Sequence, residues 1–220
     1  MRAIVCFHRR LSFRGLAYWS GFLLALAGGA MVVDYLAVVG DTDYYQARQS
    51  VAFEAARRQA LSTSPLPLLE SPLSPAPAAA QGLAPGIVGR IEIPSIGLSA
   101  MVAEGVDSGT LRRAVGHLPG TALPGQPGNS VFAAHRDTFF RALRHIRRND
   151  EVTLTTLRGR YRYRVQSIEV LGPGDVWVLK PGRQPTATLI TCFPFDYVGA
   201  APRRFVVRAV QLPARSHGLG

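Results

Sequence analysis

Cysteine is nearly missing from this chain: there are two in 220 residues, Cys6 and Cys192. Their separation leaves no disulfide-dense scaffold and no CxxC pair for zinc or redox work. Acidic side chains are also scarce, 14 against 25 basic ones, and Lys180 is the single basic residue that is not arginine. So few carboxylates provide no cluster suited to calcium. No internal repeat is present, and an apolar share of 47% over this length suits one ordinary folded domain rather than a two-domain enzyme.

Positive charge is plentiful but unevenly placed. Residues 1–34 carry four arginines against one aspartate, residues 35–84 carry three basic against four acidic side chains, and residues 85–220 carry eighteen basic against nine acidic. The last block has no nucleic-acid recognition motif, and the segment before it places it outside the cell, so no nucleic-acid partner is expected. That segment is the single long apolar run. Gly15–Val33 reads GLAYWSGFLLALAGGAMVV, 19 residues without a charge, which as a helix spans about 28 Å, close to a bilayer's apolar thickness. Arg2, Arg9, Arg10 and Arg14 precede it, and Asp34, Asp41 and Asp43 follow. The expectation is a single-pass anchor with a cytoplasmic N-terminus and an exported remainder. The small residues Ala25, Ala27 and Ala30 are of the kind that precede signal cleavage, but the run exceeds a usual signal core. Cys6 and Cys192 then lie on opposite sides and cannot pair, which leaves Cys192 a lone thiol in an oxidising compartment.

The expected organisation is a basic cytoplasmic N-terminus (1–14), a transmembrane anchor (15–38), a juxtamembrane helix (39–62), a linker (63–85), a folded domain (86–212) and a short tail (213–220). The linker holds Pro65, Pro67, Pro72, Pro75, Pro77 and Pro85, which predicts a semi-extended spacer of about 3.1 Å per residue whose task is reach. From Ile87 onward short β-like runs alternate with Gly and Pro. Strands are expected at 87–93, 98–103, 130–134, 151–156, 161–171, 188–192 and 204–212, with short helices near 107–114 and 138–146. Many short strands with little helix predict a mostly β domain, a small mixed barrel or sandwich.

Two segments end a strand on a reactive side chain: NSVFAAHRDTFFRAL around His135, and TLITCFPFDYVGAAPRRFVVRA around Cys192. A nucleophile and a base at strand ends are held by the sheet while facing open space, the arrangement that acyl transfer requires. Asp137 is the candidate for orienting His135. In general a thiol with pKa near 8.5 beside an imidazole near 6.5 holds only about one part in a hundred as the ion pair at neutral pH, so a nearby guanidinium helps. His117, within GHLPG, suits a loop-fixing hydrogen bond, and His8 and His145 read as solvated or structural. A zinc site from His117, His135, His145 and Cys192 lacks metal spacing. Arg160, Arg162 and Arg164 alternate with Tyr161, Tyr163 and Val165, a strand with one solvated basic face and one apolar face.

These motifs together resemble the sortase family of membrane-anchored cysteine transpeptidases, nearest its class D or class E members. The resemblance rests on TLITC followed twelve residues later by the arginine of RFVV, on the upstream HRDTFF, on VGRIEIPSIGL at the domain start and on GHLPGTALPGQPGN before the histidine strand, and it covers about residues 86–212. It implies an eight-stranded sortase-like β-barrel with short helices behind an N-terminal transmembrane helix. It assigns Cys192 as the nucleophile that carries a thioester, His135 as general acid/base and Arg204 as the arginine that stabilises substrate or oxyanion, with Thr191 and Arg204 touching substrate. Arg203 then faces the opposite side of its strand. The implied partners are proteins with an LPxTG-like C-terminal sorting signal and an amine acceptor, a cell-wall precursor or a pilin lysine, at a bacterial cell membrane, with no cofactor and no metal. The rival reading is a non-catalytic, membrane-tethered β-barrel for assembly or scaffolding.

Overall fold

The computed structural model describes residues 13–63 and 83–213. The expected basic N-terminus up to residue 12 with Cys6 and His8, most of the Pro/Ala-rich linker and most of the tail lie outside the described residues. The chain forms two compact units, Met1–Asp43 and Tyr44–Gly220.

In the first unit the described chain is helical, the opening stretch of a helix that runs Phe13–Thr63 (α1). Trp19, Phe22, Leu24, Met31 and Val33 all face outward. Among the described residues α1 is the one helix long and apolar enough to cross a membrane.

In the second unit the rest of α1 changes character. Gln49, Phe53 and Ala56, spaced four and three residues apart on one helical face, are buried. The Gln46 amide oxygen accepts from the Met101 N–H at 2.8 Å and the Gln49 amide oxygen accepts from the Ala84 N–H at 2.9 Å. Arg90 donates to Glu54 at 2.9 Å and to Ser50 at 2.6 Å, with its guanidinium over the Phe53 ring. The helix ends at Thr63, and where the described chain resumes Ala84 is hydrogen-bonded to Gln49 of the same helix.

Eight strands follow: β1 Ile87–Ile93, β2 Leu98–Glu104, β3 Val115–His117, β4 Asn129–Ala133, β5 Glu151–Thr155, β6 Arg160–Leu171, β7 Thr186–Phe193 and β8 Arg203–Gln211. They close into a barrel in the order β1-β2-β3-β4-β7-β8-β6-β5. The expected mostly β barrel is therefore present, with seven strands close to their expected bounds. β3 is the addition: three residues centred on Gly116 give no alternation to read. Its glycine is required by close approach, since a Cβ there would sit 2.3 Å from the Gly105 carbonyl oxygen.

Alternation turns Ile91, Ile93, Val102, Val115, Phe132, Leu154, Tyr163, Val165, Leu189 and Val207 into one buried cluster. Each such side chain contributes about 1.5–3 kcal/mol relative to exposure. Tyr163 is fully buried, accepts from the Gly125 N–H at 3.1 Å, and has its hydroxyl pKa pushed up to about 12 by burial. The short helices form at Ser108–Arg113 (α2), capped by Asp107, and as a 3-10 helix at Phe139–His145.

Candidate active site

Three neighbouring strands, β4, β7 and β8, carry the segments singled out in the sequence. β4 and β7 run parallel, with Ala133 opposite Ile190. Beyond the ladder the Ala134 N–H donates to the Ile190 carbonyl at 3.3 Å, so the chain is still held to β7 one residue before His135 and two residues before Cys192. β7 and β8 run antiparallel, and Cys192 stands directly opposite Arg204. Side chains directly opposite share a face, with Cβ atoms about 4.5–5.5 Å apart. The register thus collects His135, Cys192 and Arg204 at one end of three strands. Cys192 and Arg204 lie on the outer face of their strands, because Leu189 and Val207 point into the core on the alternate positions.

Burial divides these residues by role. Cys192 and Arg204 are half-buried and His135 is exposed, so all three can meet a ligand. Further along the same outer face, Val131, Thr188 and Val206 are buried. A cover over that part comes from the segment between β6 and β7. Its 3-10 turn Val176–Leu179 is tied down by the Asn129 side-chain N–H donating to the Val178 carbonyl at 2.8 Å, and by Arg208 lying over the Trp177 ring. The outer face is therefore covered at Val131, Thr188 and Val206 and accessible at His135, Cys192 and Arg204.

The partners of each residue are specific. Thr191 is buried, and its hydroxyl donates to the Ala134 carbonyl at 2.7 Å, which ties β7 to the chain one residue before His135. Arg204 donates through Nη1 to the Ala201 carbonyl at 3.1 Å and to the Arg203 carbonyl at 3.0 Å. Arg203 is exposed and pairs with Phe193 in the ladder. The Cys192 thiol and the His135 ring make no hydrogen bond to each other among the described residues, and Asp137 is exposed and makes none to His135.

His117 is elsewhere. It ends β3, is buried, and sets Nδ1 against the Glu104 carboxylate at 2.6 Å and Nε2 against the Ala122 carbonyl at 3.0 Å. It fixes the loop before β4, as its Gly/Pro surroundings suggest. His145 lines a separate hollow of about 490 Å³ between the Phe139–His145 helix and β2, together with Arg141 and Thr138. Among the described residues no three His, Cys, Asp or Glu side chains are grouped to hold a metal.

Sequence reasoning missed a set of contacts around the loop 194–202, which leaves β7 one residue after Phe193. Arg136 donates through Nη2 to the Tyr197 carbonyl at 2.6 Å and to the Gly199 carbonyl at 3.0 Å, and lies over the Tyr197 ring. Arg144 pairs with Asp196 at 3.0 Å and lies over the Phe195 ring. Phe195 in turn packs against Phe193 and Phe205. These partners are 52 to 63 residues apart in sequence, and no spacing rule connects them.

Comparison with known proteins follows the same geometry. A family model described as "Sortase domain" matches residues 91–212. The chain is 30% identical over 120 residues to sortase D of Bacillus subtilis (strain 168), covering 54% of this chain and 61% of that relative. It is 28% identical over 124 residues to sortase A of Listeria monocytogenes, covering 54% of each. The chain thus spans between half and two thirds of the length of the curated relatives it matches. Among solved structures, a Clostridium perfringens sortase D5 transpeptidase superposes with a TM-score of 0.58 at 26% identity, over 78% of this chain and 98% of that one.

Proposed function

The chain belongs to the sortase family, close to class D, and on that premise we propose that it is a membrane-anchored cysteine transpeptidase acting on an LPxTG-like C-terminal sorting signal. The observation that carries this reading is the strand register. Cys192 pairs with Arg204 across β7 and β8, and β4, which pairs with β7, leads into His135 two residues after its last ladder position, which supports reading the three as one site.

The chemistry follows from that arrangement. The Cys192 sulfur, as thiolate, attacks the carbonyl carbon of the scissile peptide, and charge passes to the carbonyl oxygen. The Arg204 guanidinium, a cation with a planar fork of donors, holds that oxygen or the peptide beside it. Collapse breaks the carbon–nitrogen bond, His135 gives its proton to the departing amine, and a thioester remains on Cys192. An acceptor amine then attacks the thioester and loses a proton to His135, and the sulfur leaves as thiolate. The acyl chain ends on a new amide and the enzyme is restored. Thr191, expected to touch substrate, is buried with its hydroxyl on the Ala134 carbonyl, and in this reading it acts at one remove by holding the nucleophile strand to the chain just before His135.

In this reading residues 15–38 anchor the protein with residues 1–14 in the cytoplasm, and the barrel works outside the cell membrane. The acceptor is a surface amine, from a wall precursor or a pilin lysine. The test uses the full chain in detergent micelles with sorting-signal peptides that vary the residue after Leu and the residue after Thr. Mass spectrometry should find the acyl fragment as a thioester on Cys192, and an added amine should release it as an amide. Arg204→Ala should slow turnover by about 100–1000-fold. Cleavage that persists in Cys192→Ala would overturn the proposal, and a wild type that forms no thioester and cleaves no peptide would make the barrel a scaffold.

A further inference from the structure

We propose that Arg136 is a positioning residue that fastens the turn bearing His135 to the loop joining Cys192 and Arg204, so that one side chain sets the spacing of all three; this rests on the reading of those three as the reacting groups. The topology makes such a tie necessary. The β7–β8 ladder ends at the pair Phe193 and Arg203, one step beyond Cys192 and Arg204. From 194 to 202 the chain leaves the sheet, and whatever holds this loop decides how far the two strand ends splay.

Arg136 grips the middle of that loop, with one guanidinium nitrogen shared between the Tyr197 and Gly199 carbonyls and its plane over the Tyr197 ring. Gly199 has φ +93°, a backbone setting that side chains rarely adopt, so the arginine holds the loop at a bend that favours glycine. Arg136 is also the residue next to His135. Its reach into the loop therefore links the base to the nucleophile and to Arg204 without passing through the barrel. Two further contacts brace the same loop: Arg144 on Asp196 and the Phe195 ring before the grip, and Arg204 Nη1 on the Ala201 carbonyl after it.

The magnitudes point to positioning rather than stability. Arg136 is half-buried, and the net worth of its two carbonyl hydrogen bonds to folding is small against the stability of a domain. A misplacement of about 1 Å between reacting groups, by contrast, can cost roughly 100-fold in rate. Arg136→Ala should thus lower kcat by about tenfold or more and change KM much less, because ground-state peptide binding does not depend on the splay.

The experiment compares wild type, Arg136→Ala, Arg136→Lys and a control, Arg148→Ala, an exposed arginine that makes none of these loop contacts. Each is measured for kcat and KM on a sorting-signal peptide, for the pH profile of Cys192 alkylation by iodoacetamide, and for thermal unfolding. The expected result is a kcat loss with a near-normal unfolding temperature in Arg136→Ala, an altered alkylation profile, and partial recovery in Arg136→Lys. A kcat within twofold of wild type would overturn the proposal, as would a loss that only tracks unfolding. If wild type cleaves no peptide, the transpeptidase reading fails by itself. The alkylation profile still decides the clamp: a profile unchanged in Arg136→Ala refutes it.

Discussion

Thr188 offers the sharpest test of how the covered outer face is built. It lies on β7, fully buried, and its hydroxyl donates to the Asn129 side-chain oxygen at 2.7 Å. Asn129, on β4 and also buried, donates onward to the Val178 carbonyl. The relay thus runs from the nucleophile strand, through the histidine strand, to the turn that covers that face. Thr188→Val keeps the shape and removes one donor, which leaves the Asn129 oxygen buried and unpaired. Stranding a buried acceptor costs about 1–3 kcal/mol, more than the net worth of a typical hydrogen bond. For a chain of this size about 1 kcal/mol lowers the melting temperature by roughly 2–4 °C, so the expected drop is roughly 2–12 °C. Urea titration at neutral pH should show a lower midpoint with an unchanged slope. Thr186→Val is the comparator, because its hydroxyl meets the loop carbonyl of Gln184 at the strand's edge, and its effect should be smaller. A Thr188→Val shift under about 0.5 kcal/mol would show that the asparagine does not depend on this donor, and the relay argument would fall.

Two further outcomes follow from the packing. Phe53→Ala should destabilise the second unit by about 3–5 kcal/mol, or by the whole docking free energy of the helix if that is smaller, whereas Phe22→Ala on the outward-facing apolar stretch should leave barrel unfolding unchanged; equal effects would refute the docking. Burial raises the Tyr163 hydroxyl from the ordinary value near 10 to about 12, so its contribution is fully present below about pH 10 and is lost as pH climbs through 12. Alkaline unfolding of Tyr163→Phe should therefore lose part of its pH dependence in that interval, measured by circular dichroism beside tyrosinate absorbance of the wild type. Identical alkaline curves would exclude Tyr163 as the titrating group.

Much of this protein follows from order along the chain alone. An uncharged apolar run, period-two strands from Ile87 onward and strand ends bearing His135 and Cys192 are local patterns, each set by neighbours a few residues away. They determined the apolar N-terminal helix, seven of the eight strands and the candidate nucleophile and base. What lay beyond reach was pairing. β3 is too short and too glycine-rich to show a period, and it exists because β2 and β4 flank it. Nothing in the local pattern shows that Gln49 holds Ala84, 35 residues further along the chain. Arg136, Arg144 and Asp196 look like ordinary surface charges in sequence, and become a clamp only when barrel closure sets the β7–β8 loop beside the turn after β4. Strand propensity and burial are short-range properties that a sequence displays directly, whereas the partner of a loop carbonyl or an exposed guanidinium depends on chain closure over fifty residues or more, which only the folded barrel decides.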